Sequence, residues 1–284
     1  MSPPLSRDEL ALWSRYIYEI CGISLDASKG YLIEARLGSL AREQRVGSLA
    51  ELYARARTNP NDLRQKIIDA ITTNETSFFR DGAPFDLLQH KLVPELIDRR
   101  RGAGLGSRVP IRVWSAACST GQEAYTTAIV LKELLGDLGR YDIRILGTDI
   151  SDRAVAQASY GCYGKLELER GLAPDRIARH FTAAGDRWKI RDEIRALATF
   201  RKMNLLEPFS FPAPFDIVFC RNVAIYFTES DKIRLFQNIG RWLAPDGALI
   251  IGATESLAGL CPELESQRYL RTVFYQRKGA ACAR

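Results

Sequence analysis

Along the first seventy residues, apolar positions recur at helical spacing. Leu10, Trp13, Ile17 and Ile20 fall on one face, and Ser6 with Glu9 supplies the S-x-x-E of a capping box ahead of them. The same pattern predicts helices over residues 29–45, 48–58 and 62–71, with Ser48 and Glu51 forming a second box. A small helical domain over residues 1–75 follows. A fifth helix is expected at 83–100, after which the period changes. Residues 111–114, 143–146, 215–219 and 248–251 are short apolar runs separated by helical patterns such as 122–135, as a parallel sheet requires. Residues 268–276 supply terminal strand material, while 187–192 and 198–203 alternate like short antiparallel strands.

The first strand breaks into WSAACSTGQEAY, residues 114–125. The small residues of 115–121 let a ligand approach the backbone, and the helix beginning at Gln122 offers unpaired N–H groups. A strand, a tight turn and a helix in this order form a nucleotide-cofactor framework, although the full G-x-G-x-x-G is absent. Asp149 lies at the end of the second run. There an acidic side chain is placed to accept hydrogen bonds from both hydroxyls of a ribose; the alternative is a cap for the helix starting near Ser151.

Composition narrows the function classes. At 46% hydrophobic and 26% charged, the 284 residues read as a globular core domain with an appendage and no apolar run of membrane-spanning length. The opening Met-Ser-Pro-Pro lacks the features of an export signal, so a cytoplasmic location is expected. Cys21, Cys118, Cys162, Cys220, Cys261 and Cys282 show no C-x-x-C spacing, and His90 and His180 are the only histidines. A zinc site and a histidine-based triad are therefore not expected, and the thiols are expected to be reduced.

A net charge of +6 points to an acidic partner, either nucleic acid or protein. Within residues 29–57 six basic residues face three acidic ones. Arg36, Arg42 and Arg45 are the partner-binding candidates, although they do not share one helical face and a solvated surface is the alternative. Residues 69–81, DAITTNETSFFRD, join the two parts and suit the covering of an aromatic base or a cationic cofactor. If Phe78 and Phe79 merely anchored a helix start, Arg80 would be unexplained. Residues 99–108, RRRGAGLGSR, read as a flexible connector and 279–284 as a disordered tail.

ITTNETSFFRD, WSAACSTGQEAY, GTDIS, MNLLEP, FDIVFCRNVAIYF and LAPDGALIIGATESL occur in this order. Together they resemble the bacterial chemoreceptor glutamate O-methyltransferases, the CheR family, over residues 10–276. The resemblance implies an α/β fold: a Rossmann-like seven-stranded S-adenosylmethionine-dependent methyltransferase sheet within residues 76–284, preceded by the helical domain, which would recognise the receptor. A small antiparallel β-subdomain would be inserted at about 160–203. Its hairpin, with only residues 182–186 before the second strand, is short, which implies that no tethering peptide at the receptor C-terminus is needed.

The resemblance also assigns residues. Asn74, Thr76 and Arg80 match N-x-T-x-F-F-R, which closes over the cofactor. Glu123 matches the second acidic residue of G-E-E-P-Y, while Gln122 and Ala124 depart from it and are expected to loosen the turn. Asp149 would hold the ribose, Asn204 and Leu205 would frame adenine, and Arg221 and Asn222 would complete the cofactor site, although a turn-forming role is open for Asn222. Tyr226 would sit beside the transferable methyl group, although a core aromatic role is open for it; Phe227 is the better core candidate, and Cys118 and Cys220, without a histidine partner, read as packing residues.

Arg80 and Tyr226 are the catalytic candidates. The products would be a glutamate methyl ester and S-adenosylhomocysteine, and the partners the cytoplasmic methylation helices of a chemoreceptor. The protein is expected to act as a monomer, without nucleic acid or membrane insertion. A nucleic-acid methyltransferase would show (D/N)-P-P-(Y/F) where this chain has CRNVAIYF, and a non-catalytic adaptor would be expected to lose Arg80, Asp149 or Asn222.

Overall fold

The Ser6 hydroxyl accepts from the Glu9 N–H at 3.2 Å and the Glu9 carboxylate accepts from the Ser6 N–H at 2.9 Å, so α1 (Arg7–Cys21) starts at the expected box. It ends at Gly22, whose φ of 75° needs a residue without a Cβ. Helices α2 (Gly30–Glu43), α3 (Leu49–Thr58) and α4 (Pro60–Ile71) follow, and Trp13, Ile17, Ile33, Leu37, Leu52 and Ile67 form their shared core. This computed structural model describes residues 5–102 and 108–279. Most of the predicted connector (103–107) and tail (280–284) lies outside the described residues.

The single helix expected at 83–100 is divided. It runs as α5 (Ala83–Leu87), a wide π turn (Leu88–Leu92) and α6 (Val93–Gly102). Pro94 supplies the physical reason, because it has no N–H to donate and its ring crowds the preceding turn.

The α/β part begins with β1 (Val109–Ala116), α7 (Gln122–Leu135), β2 (Tyr141–Asp149) and α8 (Asp152–Tyr160). An insertion follows: β3 (Cys162–Gly164), α9 (Lys165–Glu169), α10 (Pro174–His180), β4 (Phe181–Ala184), β5 (Arg187–Ile190) and α11 (Asp192–Arg195). The chain then returns through β6 (Ala198–Lys202), β7 (Phe215–Cys220), α12 (Glu229–Trp242), β8 (Leu243–Ile251), β9 (Leu264–Tyr269) and β10 (Thr272–Arg277). The main sheet has seven strands in the order β6-β2-β1-β7-β8-β10-β9, parallel except for β10. A three-stranded antiparallel sheet, β3-β5-β4, forms the insertion.

One strand assignment is corrected. Residues 198–203 were expected to be an antiparallel strand of the insertion, but β6 pairs parallel to β2 at the edge of the main sheet, with Ala198 opposite Ile145. An edge strand with one covered face alternates as an antiparallel strand does, so the pattern could not distinguish them. Phe200 covers that face, its ring centroid 5.3 Å from that of Tyr125.

Strand β1 pairs with β2 on one side and β7 on the other, so connections leave it in opposite directions and a crevice opens beyond its carboxyl end. The helical domain sits over this crevice. The Ser24 N–H donates to the Tyr226 carbonyl at 2.9 Å, Gln65 Nε2 to the Ile150 carbonyl at 3.1 Å and the Tyr18 hydroxyl to Asp231 Oδ2 at 2.9 Å. The insertion is pressed onto residues 78–81: the Phe78 ring meets Tyr163 and Phe181 edge-on at 5.1 and 5.5 Å. Among the described residues, no helix is long and apolar enough to cross a membrane.

A Cβ on Gly171 would lie 1.8 Å from the Phe78 carbonyl oxygen, whereas one on Gly240, inside α12, would meet nothing within 4 Å. Gly171→Ala is therefore expected to lower stability by about 2 kcal/mol and Gly240→Ala to raise it by about 0.5–1 kcal/mol. Urea denaturation of the two variants checks both signs.

Candidate active site

The turn after β1 takes its shape from left-handed residues, Ala117 at φ 58°, Ser119 at 51° and Gly121 at 94°. The Cys118 N–H donates to the Thr148 carbonyl at 2.9 Å, and Tyr163 Oη to the Thr120 carbonyl at 2.8 Å. Thr120 Oγ1 donates to Gln122 Oε1 at 2.8 Å. The looseness expected from Gln122 is thus absent, because its own side chain accepts a bond that helps close the turn. Gly121 is fixed by packing as well, since a Cβ there would approach that of Ala158 to 2.9 Å.

Asp149 ends β2 facing this turn. Its Oδ2 accepts from the Ser119 N–H at 2.8 Å and its Oδ1 from the Ser151 N–H at 3.0 Å. Burial pushes the carboxyl above its ordinary range, against these two hydrogen bonds, which favour the ionised form. The capping alternative is answered by Ser151, whose hydroxyl accepts from the Ala154 N–H at 3.1 Å and starts α8. Each Asp149 oxygen keeps further acceptor capacity.

Arg221, at the end of β7, is the buried hub. Its Nη1 donates to Glu123 Oε2 at 3.0 Å, and its Nη2 to the Arg80 carbonyl at 3.0 Å and Asp81 Oδ2 at 2.6 Å. Glu123 Oε1 accepts from the Ser115 hydroxyl at 2.7 Å. Arg80 sits between two left-handed residues, Phe79 at φ 49° and Asp81 at 66°, and its Nη1 donates to the Glu75 carbonyl at 3.0 Å. Asn222 does turn the chain, at φ 57°, and also borders the cleft; its N–H donates to Glu255 Oε2 at 2.9 Å.

All ten candidates from Asn74 to Tyr226 line one cleft, which encloses about 920 Å³ including its open mouth. Asn74 is tied to the turn, its carbonyl accepting from Ser119 Oγ at 3.1 Å. Asn204 is partly committed, its Oδ1 accepting from the Leu206 N–H and its Nδ2 donating to Glu207, both at 3.1 Å. Leu205 gives a buried apolar wall.

Phe227, expected in the core, is half-buried against the core of the sheet domain and also lines the cleft beside Tyr226. Sequence reasoning also missed Cys21 and Ile23, which the helical domain contributes, because no local motif signals a contact across domains. Glu255 was missed as well: it lies within a quoted motif, but only the fold shows its carboxylate accepting from the N–H groups of Asn222 and Gly252. Burial pushes the Cys118 and Cys220 thiols well up, in keeping with packing roles.

The three basic candidates do not act together. Arg36 donates to the Ile71 carbonyl and to Thr73 Oγ1, tying α2 to the end of α4, whereas Arg42 and Arg45 are exposed.

Against known families, residues 74–271 match "CheR methyltransferase, SAM binding domain" and residues 8–72 match "CheR methyltransferase, all-alpha domain". The chain belongs to the CheR methyltransferase family. It is 38% identical over 275 residues to "Chemotaxis protein methyltransferase 1" of Pseudomonas aeruginosa, covering 95% of this chain and 98% of that protein. A protein of the same name from Vibrio cholerae is 39% identical over 278 residues, covering 96% and 98%. The "Chemotaxis protein methyltransferase" of Borreliella burgdorferi is 33% identical over 261 residues, covering 90% of each. S-adenosylmethionine is the cofactor of this CheR chain, and the chemistry of the cleft lining fits it. Its buried acidic acceptor at the end of β2 and its small-residue turn suit a ribose and a close backbone approach.

Arg221→Met would leave Glu123, with a side chain 12% exposed, facing Asp81 without its cation. A stability loss of about 3 kcal/mol is expected, with a large part recovered when Glu123 is also made apolar. Chemical denaturation of the single and double variants measures the recovery.

Proposed function

We propose that this CheR protein transfers a methyl group from S-adenosylmethionine to glutamate side chains on the cytoplasmic helices of a chemoreceptor, giving methyl esters and S-adenosylhomocysteine. One observation carries the reading: Arg80 lines the cofactor cleft, and among the described residues no carboxylate lies within 4 Å of its guanidinium. It is thus available to an incoming acidic side chain. A glutamate, with a reference pKa of about 4.3, is ionised near neutral pH and needs no general base. The cleft correspondingly offers no histidine.

When bound, the cofactor supplies an electrophilic methyl group on its sulfonium. Asp149 would accept from the ribose hydroxyls, Leu205 and Asn204 would frame the adenine, and Asn74, Thr76, Glu123, Arg221 and Asn222 would enclose the remainder. Arg80 and Tyr226 would orient the attacking oxygen, and the helical domain would exclude water from it. Arg80 is held through its backbone by Arg221, so its guanidinium would meet the carboxylate from a loop fixed in place. Exposed Arg42 and Arg45 would raise the rate of encounter with acidic receptor helices, an effect that salt screens.

The hairpin of the insertion has four residues in each strand and a turn at Gly185 and Asp186, which leaves little surface to grip a tethering peptide. Receptors lacking a C-terminal peptide are therefore expected to be methylated at the same rate as intact ones, and a large loss of rate would reject tether independence.

Incubation with methyl-labelled cofactor and receptor fragments should yield label released as methanol by base; base-stable label would exclude an ester. Arg80→Ala is expected to lower turnover by about 100-fold and Tyr226→Phe by less than about tenfold. Equal, small effects would refute the assignment.

A further inference from the structure

A second crevice borders the Arg80 loop. Residues 75–81 form one wall, and Arg170 with Gly171, from the loop after α9, form the other. The walls are held together at two points: Gly171 lies directly against the Phe78 carbonyl, and Arg170 Nη2 pairs with Glu75 Oε1 at 2.8 Å. Glu75, Thr76, Ser77 and Arg80 line both this crevice and the cofactor cleft, so the two are contiguous. The hydrogen bond and charge of Arg170, with a smaller contribution from Arg80, hold the Glu75 carboxyl below its ordinary range. The crevice beside the cleft thus already holds a carboxylate against Arg170, and that carboxylate belongs to the protein.

We propose that this crevice is a second carboxylate subsite, in which Arg170 receives an acidic side chain of the substrate helix adjacent to the one being methylated, displacing Glu75. The proposal rests on the reading of the substrate as an acidic receptor helix. Residues three or four apart on a helix stand about 5–6 Å apart on one face, so a helix that offers one glutamate to the cleft carries its neighbour one turn away. The Arg170 and Glu75 side chains are 60% and 62% exposed, so exchanging one carboxylate for another involves little desolvation. The insertion would then help to choose which glutamates react, and Glu75 would hold Arg170 in position until substrate displaces it.

Methylation rates measured against the concentration of a receptor cytoplasmic fragment, one with acidic residues a turn from the methylated glutamate, test this. Arg170→Ala is expected to raise the KM for the fragment about three- to fivefold, with Arg170→Lys restoring most of the loss and high salt shrinking the difference. Calorimetric affinity for S-adenosylhomocysteine should stay within about twofold, which also verifies folding. Glu75→Gln, by removing the competitor, should lower the KM. If the pair were only a strut, Arg170→Ala and Glu75→Gln would raise the KM alike, and that result overturns the subsite. An unchanged KM in Arg170→Ala, with normal wild-type methylation, overturns the subsite alone; no base-labile methylation by the wild type removes the proposed function and the subsite together.

Discussion

A guanidinium buried at the carboxyl edge of a sheet must be matched by charge and hydrogen bonds, and the matching of Arg221 fixes the geometry of the whole site. Its side chain, 3% exposed, links the end of β7 to Glu123 at the start of α7 and to the backbone and side chain of residues 80 and 81. These segments are distant in sequence, and none could move independently without leaving a charge unpaired in a poorly solvated place. The reversal of strand order around β1 provides the crevice, and Arg221 determines where the surrounding loops stand within it.

The other side of the cleft depends on a domain with its own hydrophobic core. Tyr226 packs against the core of the helical domain and accepts from the Ser24 N–H through its carbonyl, while Cys21 and Ile23 form part of the cleft wall. The surface proposed to meet the receptor therefore belongs to the same packed domain that lines the cleft.

The capping boxes and apolar runs made most elements legible, because helix caps and buried strands are local decisions. Pairing partners are not local, which is why β6 was placed in the wrong sheet and why β3 went unnoticed. The candidates from Asn74 to Tyr226 could be named from five of the six motifs, yet what ties Glu123 to Arg221, or Asn222 to Glu255, is visible only once the strands are side by side. Arg36 shows the opposite limit: a basic residue read as available for a partner is engaged by the Ile71 carbonyl and Thr73 inside its own domain.

Of the seven non-glycine residues with left-handed backbones among the described residues, Phe79, Asp81, Ala117, Ser119 and Asn222 border the cleft or flank Arg80. Each such conformation is disfavoured by roughly 1–3 kcal/mol and persists only because the surroundings leave it no alternative. Glycine at those points would relax the chain and at the same time free it to wander. The rim is consequently a region where evolution toward a hardier protein and evolution toward a faster one would pull in opposite directions.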